Sequence, residues 1–376
     1  MSRKTSETPK HIVIDARIRR ASTGRPVDRL VEFLEDLDHV NHYTILVQPD
    51  DPWKMRAGNF QTLPCPFPQF SFNPMDQVKF AWQLYRLKPD LVHFTMTQQP
   101  LLYFNRHIVT MTHDLTMLEF VRRGTTPVPV YKFKMALYRF LLWWGHHKSE
   151  KIIVPTNGVK KELIAYQPFT KPKIEVVYEA GAIAAQGKAV QPKGVDGEYI
   201  TYVGTVFPHK NAFKLIEAFD ILHAERPNLK LVFVGKMEKH REELRVWAKN
   251  RPSYKNIVFT GFIPDEALKW VFEHCKAYVF ASLSEGWGLP PLEAMAYGVP
   301  VASSNASVMP EVLGDAAHYF DPRDVEDMAQ KIGEVLDDKQ LRERLIKAGY
   351  AQNKKYSWEK MAEETLSIYR KILNEK

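Results

Sequence analysis

Residues Ala277–Ser303 read AYVFASLSEGWGLPPLEAMAYGVPVAS, and the order of residue types within them decides the fold. Tyr278-Val279-Phe280 is an apolar run without polar interruption, as expected of a strand buried on both faces. Glu285-Gly286-Trp287-Gly288-Leu289 follows as a turn whose glycines let the backbone approach a ligand closely. Pro290 and Pro291 then open a helix, where a missing N–H costs nothing. The remaining free amides at that end, with the helix dipole, attract an anion such as a pyrophosphate. Glu285 stands ahead of this helix and Glu293 in its first turns, so both carboxylates can face one mouth. A strand, a glycine loop, a helix and a second strand thus form one α/β unit, suited to a phosphate-bearing ligand.

The same alternation extends outward in both directions. In the second half, Tyr199–Val203, Lys230–Val234, residues 257–260, Ala277–Phe280 and residues 299–302 are short apolar strands separated by helical periods. Val325, Met328, Ala329, Ile332 and Leu336 mark a late amphipathic helix, and Trp358, Met361, Ala362, Tyr369, Ile372 and Leu373 mark another. In the first half, His11–Asp15, residues 44–47, Leu91–Phe94, Ile108–Met111 and residues 152–154 alternate with helices such as residues 27–37, opened by Pro26, and 75–87. Strands alternating with helices imply parallel sheets covered on both faces. At 376 residues the chain is too long for one ordinary core, so two α/β domains are expected. Residues 180–198 lose the apolar period, gain glycines and read as the connection. The domains are placed at 1–190 and 191–356.

Composition is that of a globular protein, 45% apolar and 26% charged, without a low-complexity run. The first ten residues lack the apolar core of a secretory signal, and no segment is long and apolar enough to span a bilayer, so a cytoplasmic location is expected. Cys65 and Cys275 fall in different halves, which argues against a disulfide framework or a cysteine zinc site. Residues 1–190 carry 26 Lys+Arg against 17 Asp+Glu and the remainder 26 against 27, so the net +8 sits entirely in the first half. That excess suits a solvated surface, an anionic membrane face on the inner side, or a phosphorylated acceptor. Residues 131–144, YKFKMALYRFLLWW, are apolar around most of the circumference and too short to span. They form an interior helix or an interfacial one, and the interior is favoured.

Two motif near misses exclude other chemistry. Gly286-x-Gly288-x-x-Pro291 lacks the third glycine of the dinucleotide fingerprint, and Ser304-Asn305 stand where a ribose-binding acid is needed. Gly204-Thr-Val-Phe-Pro-His209-Lys210-Asn211 imitates a P-loop, but His209 replaces the second glycine and Asn211 the magnesium-binding hydroxyl. Asp36-Leu37-Asp38 spells D-x-D on a helix instead of at a strand end and reads as solvent face, and His146-His147 lacks zinc-site spacing. No metal, no redox cofactor and no nucleic-acid partner is expected.

The spacing E-x7-E, with YVGTVFPHKN at 202–211, MTHDL at 111–115, residues 282–305 and PEVLGDAAHYFDP at 310–322, resembles the retaining glycosyltransferases of family 4. The likeness is greatest to a bacterial mannosyltransferase branch acting on cell-envelope polysaccharide. The resemblance implies the GT-B fold, two Rossmann-like domains whose parallel sheets face a central cleft, with the helix in 357–376 returning to the first domain. It also implies a nucleotide diphosphate sugar donor, GDP- or UDP-linked, and a glycan or lipid-linked saccharide acceptor. Lys210 matches the lysine that contacts the donor pyrophosphate, whereas the preceding arginine of the family is here Thr205. Glu293 matches the ribose-binding glutamate, and Glu285 the one near the sugar and acceptor. The amides of Gly288 and Leu289 would bind phosphate or sugar oxygens, and Phe262 and Ile263 border the base. His113 is a satisfied core histidine or a ligand of the donor sugar, and the resemblance favours the second. Gly24 and Arg25 match the acceptor-side glycine loop. Rival readings are an epimerase or phosphorylase on the same fold, or a noncatalytic sugar-nucleotide binder.

Overall fold

The computed structural model describes residues 8–20, 24–68, 73–121, 126–181, 187–237 and 239–374. The chain divides into two units: Met1–Leu118, Arg123–Glu179 and Ser357–Lys376 form unit 1, and Glu119–Arg122 with Ala180–Tyr356 form unit 2. Unit 1 is built on β1 (His11–Asp15), β2 (His42–Val47), β3 (Phe60–Pro64), β4 (Leu91–Phe94), β5 (Ile108–Met111), β6 (Lys151–Val154) and β7 (Ile174–Val176). Their order is β3-β2-β1-β4-β5-β6-β7, with every neighbouring pair parallel. Unit 2 is built on β8 (Tyr199–Val203), β9 (Lys230–Val234), β10 (Ile257–Gly261), β11 (Ala277–Phe280), β12 (Val301–Ser304) and β13 (Ala317–Phe320). Their order is β10-β9-β8-β11-β12-β13, again all parallel.

Each sheet starts from its middle, builds outward on one side and then reverses to the other. The reversal falls between β1 and β4 in unit 1 and between β8 and β11 in unit 2. At such a point the loops leaving two adjacent strands part in opposite directions, and the crevice they leave at the carboxyl ends is where open α/β sheets bind ligands. The central strands are buried on both faces, as their unbroken apolar runs require. In unit 2 the core gathers Leu231, Phe233, Val279 and Ala302 from the sheet with Leu215, Phe219, Met328 and Ile332 from two helices. In unit 1 Val13, Val92 and Phe94 pack on Phe80 and Leu84. The helix Trp358–Leu373 lies against Arg25–Leu37 within unit 1, and the Tyr369 hydroxyl and His93 Nδ1 share a hydrogen bond at 2.5 Å.

Three readings of the sequence are corrected. The helix Val128–Lys148 is not interior: Tyr138, Leu141, Leu142, Gly145 and His146 are buried, but Phe133, Phe140 and Trp143 face solvent. Its apolar girth exceeds what one sheet face can cover. Asp38 is not solvent face. It follows the helix Arg25–Leu37, is 1% exposed, and accepts bonds from Asn41 Nδ2 at 2.9 Å, the Val40 amide at 3.0 Å and the Tyr43 hydroxyl at 2.6 Å. The stretch 180–198, read as the connection, belongs to unit 2: Val195 is buried there and the Val190 amide donates to the Glu266 carbonyl at 3.0 Å. Residues 182–186 of that stretch lie outside the described residues.

Candidate functional site

The reversal point of unit 2 collects most of the residues singled out above. Gly204 ends β8 at φ +140°, its amide donating to the Val234 carbonyl at 3.0 Å, and the chain turns through Thr205 to a single turn of 3-10 helix at Pro208–Lys210. Thr205 is half-buried, and its carbonyl accepts the Tyr202 hydroxyl at 2.5 Å. Burial, reinforced by the nearby Glu285 carboxylate, keeps that phenol protonated and donating. On the neighbouring strand, β11 runs into the loop carrying Glu285. The Leu283 amide donates to the His209 carbonyl at 2.7 Å, which ties the two loops together.

This tie brings Lys210 and Glu285 into contact across 75 residues of chain: Lys210 Nζ donates to Glu285 Oε1 at 2.5 Å. The side chains are 17% and 12% exposed, so the pair is largely withdrawn from water yet open at one side. Phe280 lies beneath the ammonium, its ring centre 5.7 Å from Nζ. Ser307, held at φ +55°, clamps the Glu285 backbone by donating to its carbonyl at 3.1 Å and accepting from its amide at 3.4 Å.

Gly288 precedes the helix Leu289–Ala296 at φ +103°, a conformation that favours glycine, and the end of the Met309 side chain packs close against it. Trp287 beside it is buried, donating to the Ala180 carbonyl at 3.2 Å and meeting Tyr356 edge-on at 4.7 Å. Leu289 and Glu293 are half-buried on that helix. Phe262 and Ile263 divide their work: Ile263 packs on the core, while Phe262 presents a ring 71% exposed after β10.

In unit 1, His113 follows β5 with acceptors at both ring nitrogens, the Thr95 carbonyl 2.9 Å from Nε2 and Glu179 Oε1 3.4 Å from Nδ1. Burial works against a charged ring. Glu179, with help from the Thr95 carbonyl and Asp114, outweighs it and raises the pKa. His113 is therefore held between two acceptors at the carboxyl end of β5. Gly24 precedes the helix Arg25–Leu37 with the Arg19 carbonyl so near that any side chain would collide, and Arg25 is exposed. Residues 21–23, next to them, lie outside the described residues.

Sequence reasoning missed several participants. Arg241 is fully buried and donates through Nη2 to the Gly204 carbonyl and, at 3.2 Å, to that of Val234. A guanidinium thus stands beside this loop although Thr205 occupies the arginine position; its run, KHREEL, reads as a solvated helix face. Glu179 and Ser307 sit in stretches without periodicity, so nothing in the sequence distinguishes them from loop residues. His146 is a core histidine, its Nε2 against Thr112 Oγ1 at 2.8 Å and Nδ1 against Gln167 Oε1 at 2.7 Å. Among the described residues no group of three or more His, Cys, Asp or Glu could hold a metal ion.

Known proteins share this fold. The profile "Glycosyl transferases group 1" matches residues 186–352, and "Glycosyltransferase Family 4" matches residues 27–180. O-antigen chain mannosyltransferase B of Escherichia coli is 36% identical over 173 residues, 46% of this chain and 45% of that protein. The chain spans less than half the length of the first curated relatives it matches, from 45% down to 22%. Among solved structures, sucrose-phosphate synthase from Thermosynechococcus elongatus superimposes with a TM-score of 0.76 at 17% identity, over 98% of this chain and 100% of that one. HepE of Anabaena in complex with UDP and glucose gives 0.69 at 13% identity, over 96% and 100%. Two parallel α/β units, each with its reversal point after the first strand, and profile matches over most of the chain identify this protein as a member of the family 4, group 1 glycosyltransferases with the GT-B fold.

Proposed function

We propose that this protein transfers a hexose, mannose, from a nucleoside diphosphate sugar to a hydroxyl of a cell-envelope glycan or lipid-linked saccharide, with retention at the anomeric carbon. The observation that carries the reading is the Lys210–Glu285 pair at the reversal point of unit 2, a cation and a carboxylate in 2.5 Å contact and open on one side. The names of the mannosyltransferase relatives support the sugar, and HepE, solved with UDP and glucose, supports a nucleotide-linked donor.

In this reading the donor diphosphate draws Lys210 from Glu285, and the ammonium, with the amides at the start of Leu289–Ala296, stabilises charge on the departing diphosphate. The acceptor oxygen bonds to the anomeric carbon as the bond from that carbon to the diphosphate oxygen breaks. The hydroxyl proton passes to a diphosphate oxygen. Glu293 holds the ribose hydroxyls, Phe262 the base, and Glu285, freed of its partner, faces the positive charge developing on the sugar ring. His113 is assigned to the donor sugar, and Gly24 and Arg25 to the acceptor.

Calorimetry with the nucleoside diphosphate tests the central residue. Lys210→Ala should weaken binding by roughly 1.5 to 3 kcal/mol, as for a lost charge-assisted hydrogen bond. Equal affinities of variant and parent would return Lys210 to the solvated class. Turnover should persist in EDTA, because cationic side chains take the role of a divalent ion; full loss restored by Mn²⁺ would count against the mechanism. Diphosphate release that depends on an acceptor separates transfer from epimerisation, and indifference to free phosphate separates it from phosphorolysis.

A further inference from the structure

Two consecutive carbonyls of the turn that leaves β8 are tied down by buried side chains. Arg241 Nη2 donates to the Gly204 carbonyl and, at 3.2 Å, to that of Val234. The Tyr202 hydroxyl donates to the Thr205 carbonyl at 2.5 Å. Arg241 belongs to the helix Lys239–Ala248, which follows β9, and Tyr202 to β8 itself. The chain leaving β9 comes close enough for this only because residue 235 is a glycine. It is held at φ +141°, and a Cβ there would stand 2.6 Å from the Gly204 carbonyl oxygen and 2.7 Å from Arg241 Nη2.

In a planar trans peptide the carbonyl and the N–H point in opposite directions. Fixing the Gly204 carbonyl on Arg241 therefore turns the Thr205 amide away from that guanidinium, and fixing the Thr205 carbonyl on Tyr202 turns the Val206 amide away from that phenol. Among the described residues neither amide donates to a protein group, and the Thr205 hydroxyl has no partner either. Main-chain N–H groups without a protein partner are met by water or by a ligand. Successive free amides at a turn form a concavity that takes anions, and this turn lies at the reversal point of the sheet, where ligands of such sheets bind. The buried guanidinium adds what neutral donors lack: it polarises the Gly204–Thr205 peptide, which strengthens the Thr205 N–H as a donor. We infer that Tyr202 and Arg241 are positioning residues that aim the Thr205 and Val206 amides, with the Thr205 hydroxyl, at the donor diphosphate, in place of the arginine for which Thr205 stands. The inference rests on the donor site proposed above.

Titration of the full chain, labelled with ¹⁵N-threonine, with GDP and with UDP tests it. The Thr205 amide resonance, assigned by its loss in Thr205→Ser, should move downfield as the diphosphate binds and stay in place with guanosine or uridine. Tyr202→Phe keeps the ring and removes one hydrogen bond, and should weaken diphosphate binding roughly threefold to tenfold. Arg241→Lys keeps the charge and loses the fork, and should weaken it roughly tenfold to a hundredfold. Neither should change binding of the nucleoside, read by saturation-transfer NMR; a merely structural role would lower both. Should Arg241→Lys fail to fold, the near-isosteric Tyr202→Phe still decides. A Thr205 amide that does not move at saturating diphosphate overturns the inference, as do variants that bind diphosphate as tightly as the parent or lose nucleoside and diphosphate alike. Lys210→Ala keeps the two readings apart. If it weakens diphosphate binding and Tyr202→Phe does not, the donor site stands and the positioning role falls; if the parent binds neither GDP nor UDP, both fall.

Discussion

The two sheets share a topology but fill their reversal points differently. Between β1 and β4, Arg17 donates to both oxygens of Asp15, at 2.7 Å each, with the side chains 3% and 1% exposed. A third donor of Arg17 reaches the Phe67 carbonyl at 2.9 Å, the guanidinium lies 4.2 Å from the Phe80 ring centre, and Thr95 Oγ1 donates to the Asp15 carbonyl at 2.5 Å. Burial disfavours the Arg17 charge, yet the Asp15 carboxylate more than compensates and raises its pKa. The space left beside them, lined by Phe67, Gln77, Phe80 and Gln99, has room for about one water molecule. Between β8 and β11 the corresponding pair, Lys210–Glu285, makes a single contact and stays partly open to water. A saturated, bidentate, sealed pair has nothing left to offer a ligand. A single-contact pair at an accessible edge can exchange partners. The fold supplies two equivalent crevices, and the ion pair in each sets whether that crevice is structural or available.

The largest effect expected from this contrast is on stability. Arg17→Ala strands a buried carboxylate and should destabilise unit 1 by about 3 to 5 kcal/mol, while the folded fraction keeps its nucleotide affinity. Urea denaturation and calorimetry read the two halves of that statement, and a loss under about 1 kcal/mol would break the contrast. Next comes turnover. Glu285→Gln should reduce kcat by about a hundred- to a thousandfold with donor binding nearly intact, because in the proposed mechanism its partner is a charge that develops in the transition state. Normal turnover would remove Glu285 from the chemistry even with the family unchanged.

A smaller effect separates the units by acid. Burial holds His93 down at about 3, with the His113 charge assisting, and His146 down at about 4. Below about pH 6.5 the unfolded chain protonates these rings and the folded chain does not, so stability falls as pH falls, by about 2 kcal/mol for each ring at pH 5. His113 has the opposite sign: its raised value gives stability that is complete below about pH 6.5 and lost as pH rises through the folded value. His93 and His146 both belong to unit 1. Hydrogen exchange near pH 5 should therefore show unit 1 amides opening first, and earlier opening of unit 2 would contradict it. The smallest effect is at Glu293. Glu293→Gln should raise the donor KM by about tenfold with a lesser change in kcat, as for contacts equal in ground and transition states. The reverse pattern for the two glutamates would overturn their assignment.

Central strands were legible because burial on both faces forces continuous apolar runs, as in Ile12-Val13-Ile14 and Tyr278-Val279-Phe280. β3, β7 and β13 escaped notice for the converse reason. They are edge strands, FQTLP, IEV and AHYF, half-covered and free to carry polar residues. The helix Lys339–Asn353 was missed because only Leu345, Gly349 and Gln352 are buried, too few for a visible stripe. At the site, Lys210 and Glu285 were each readable from local motifs. Their contact was not, since it arises from β8 and β11 being neighbours although two strands intervene in the chain. The exposed side of Val128–Lys148 was illegible because periodicity reports which residues are apolar and not which face the sheet covers.

The helix Trp358–Leu373 belongs to unit 1 but follows all of unit 2 in the chain. At translation rates of about 5 to 20 residues per second, the ribosome needs roughly 9 to 35 seconds to make the intervening segment Ala180–Tyr356. Throughout that interval His93 has no Tyr369, and Arg25–Leu37 lacks the cover that Trp358–Leu373 gives it. Unit 2, continuous apart from four residues, can close as soon as it emerges. The first half to be synthesised is thus the last to be finished, and during synthesis its uncovered helix is the surface most open to chaperones and to misassociation.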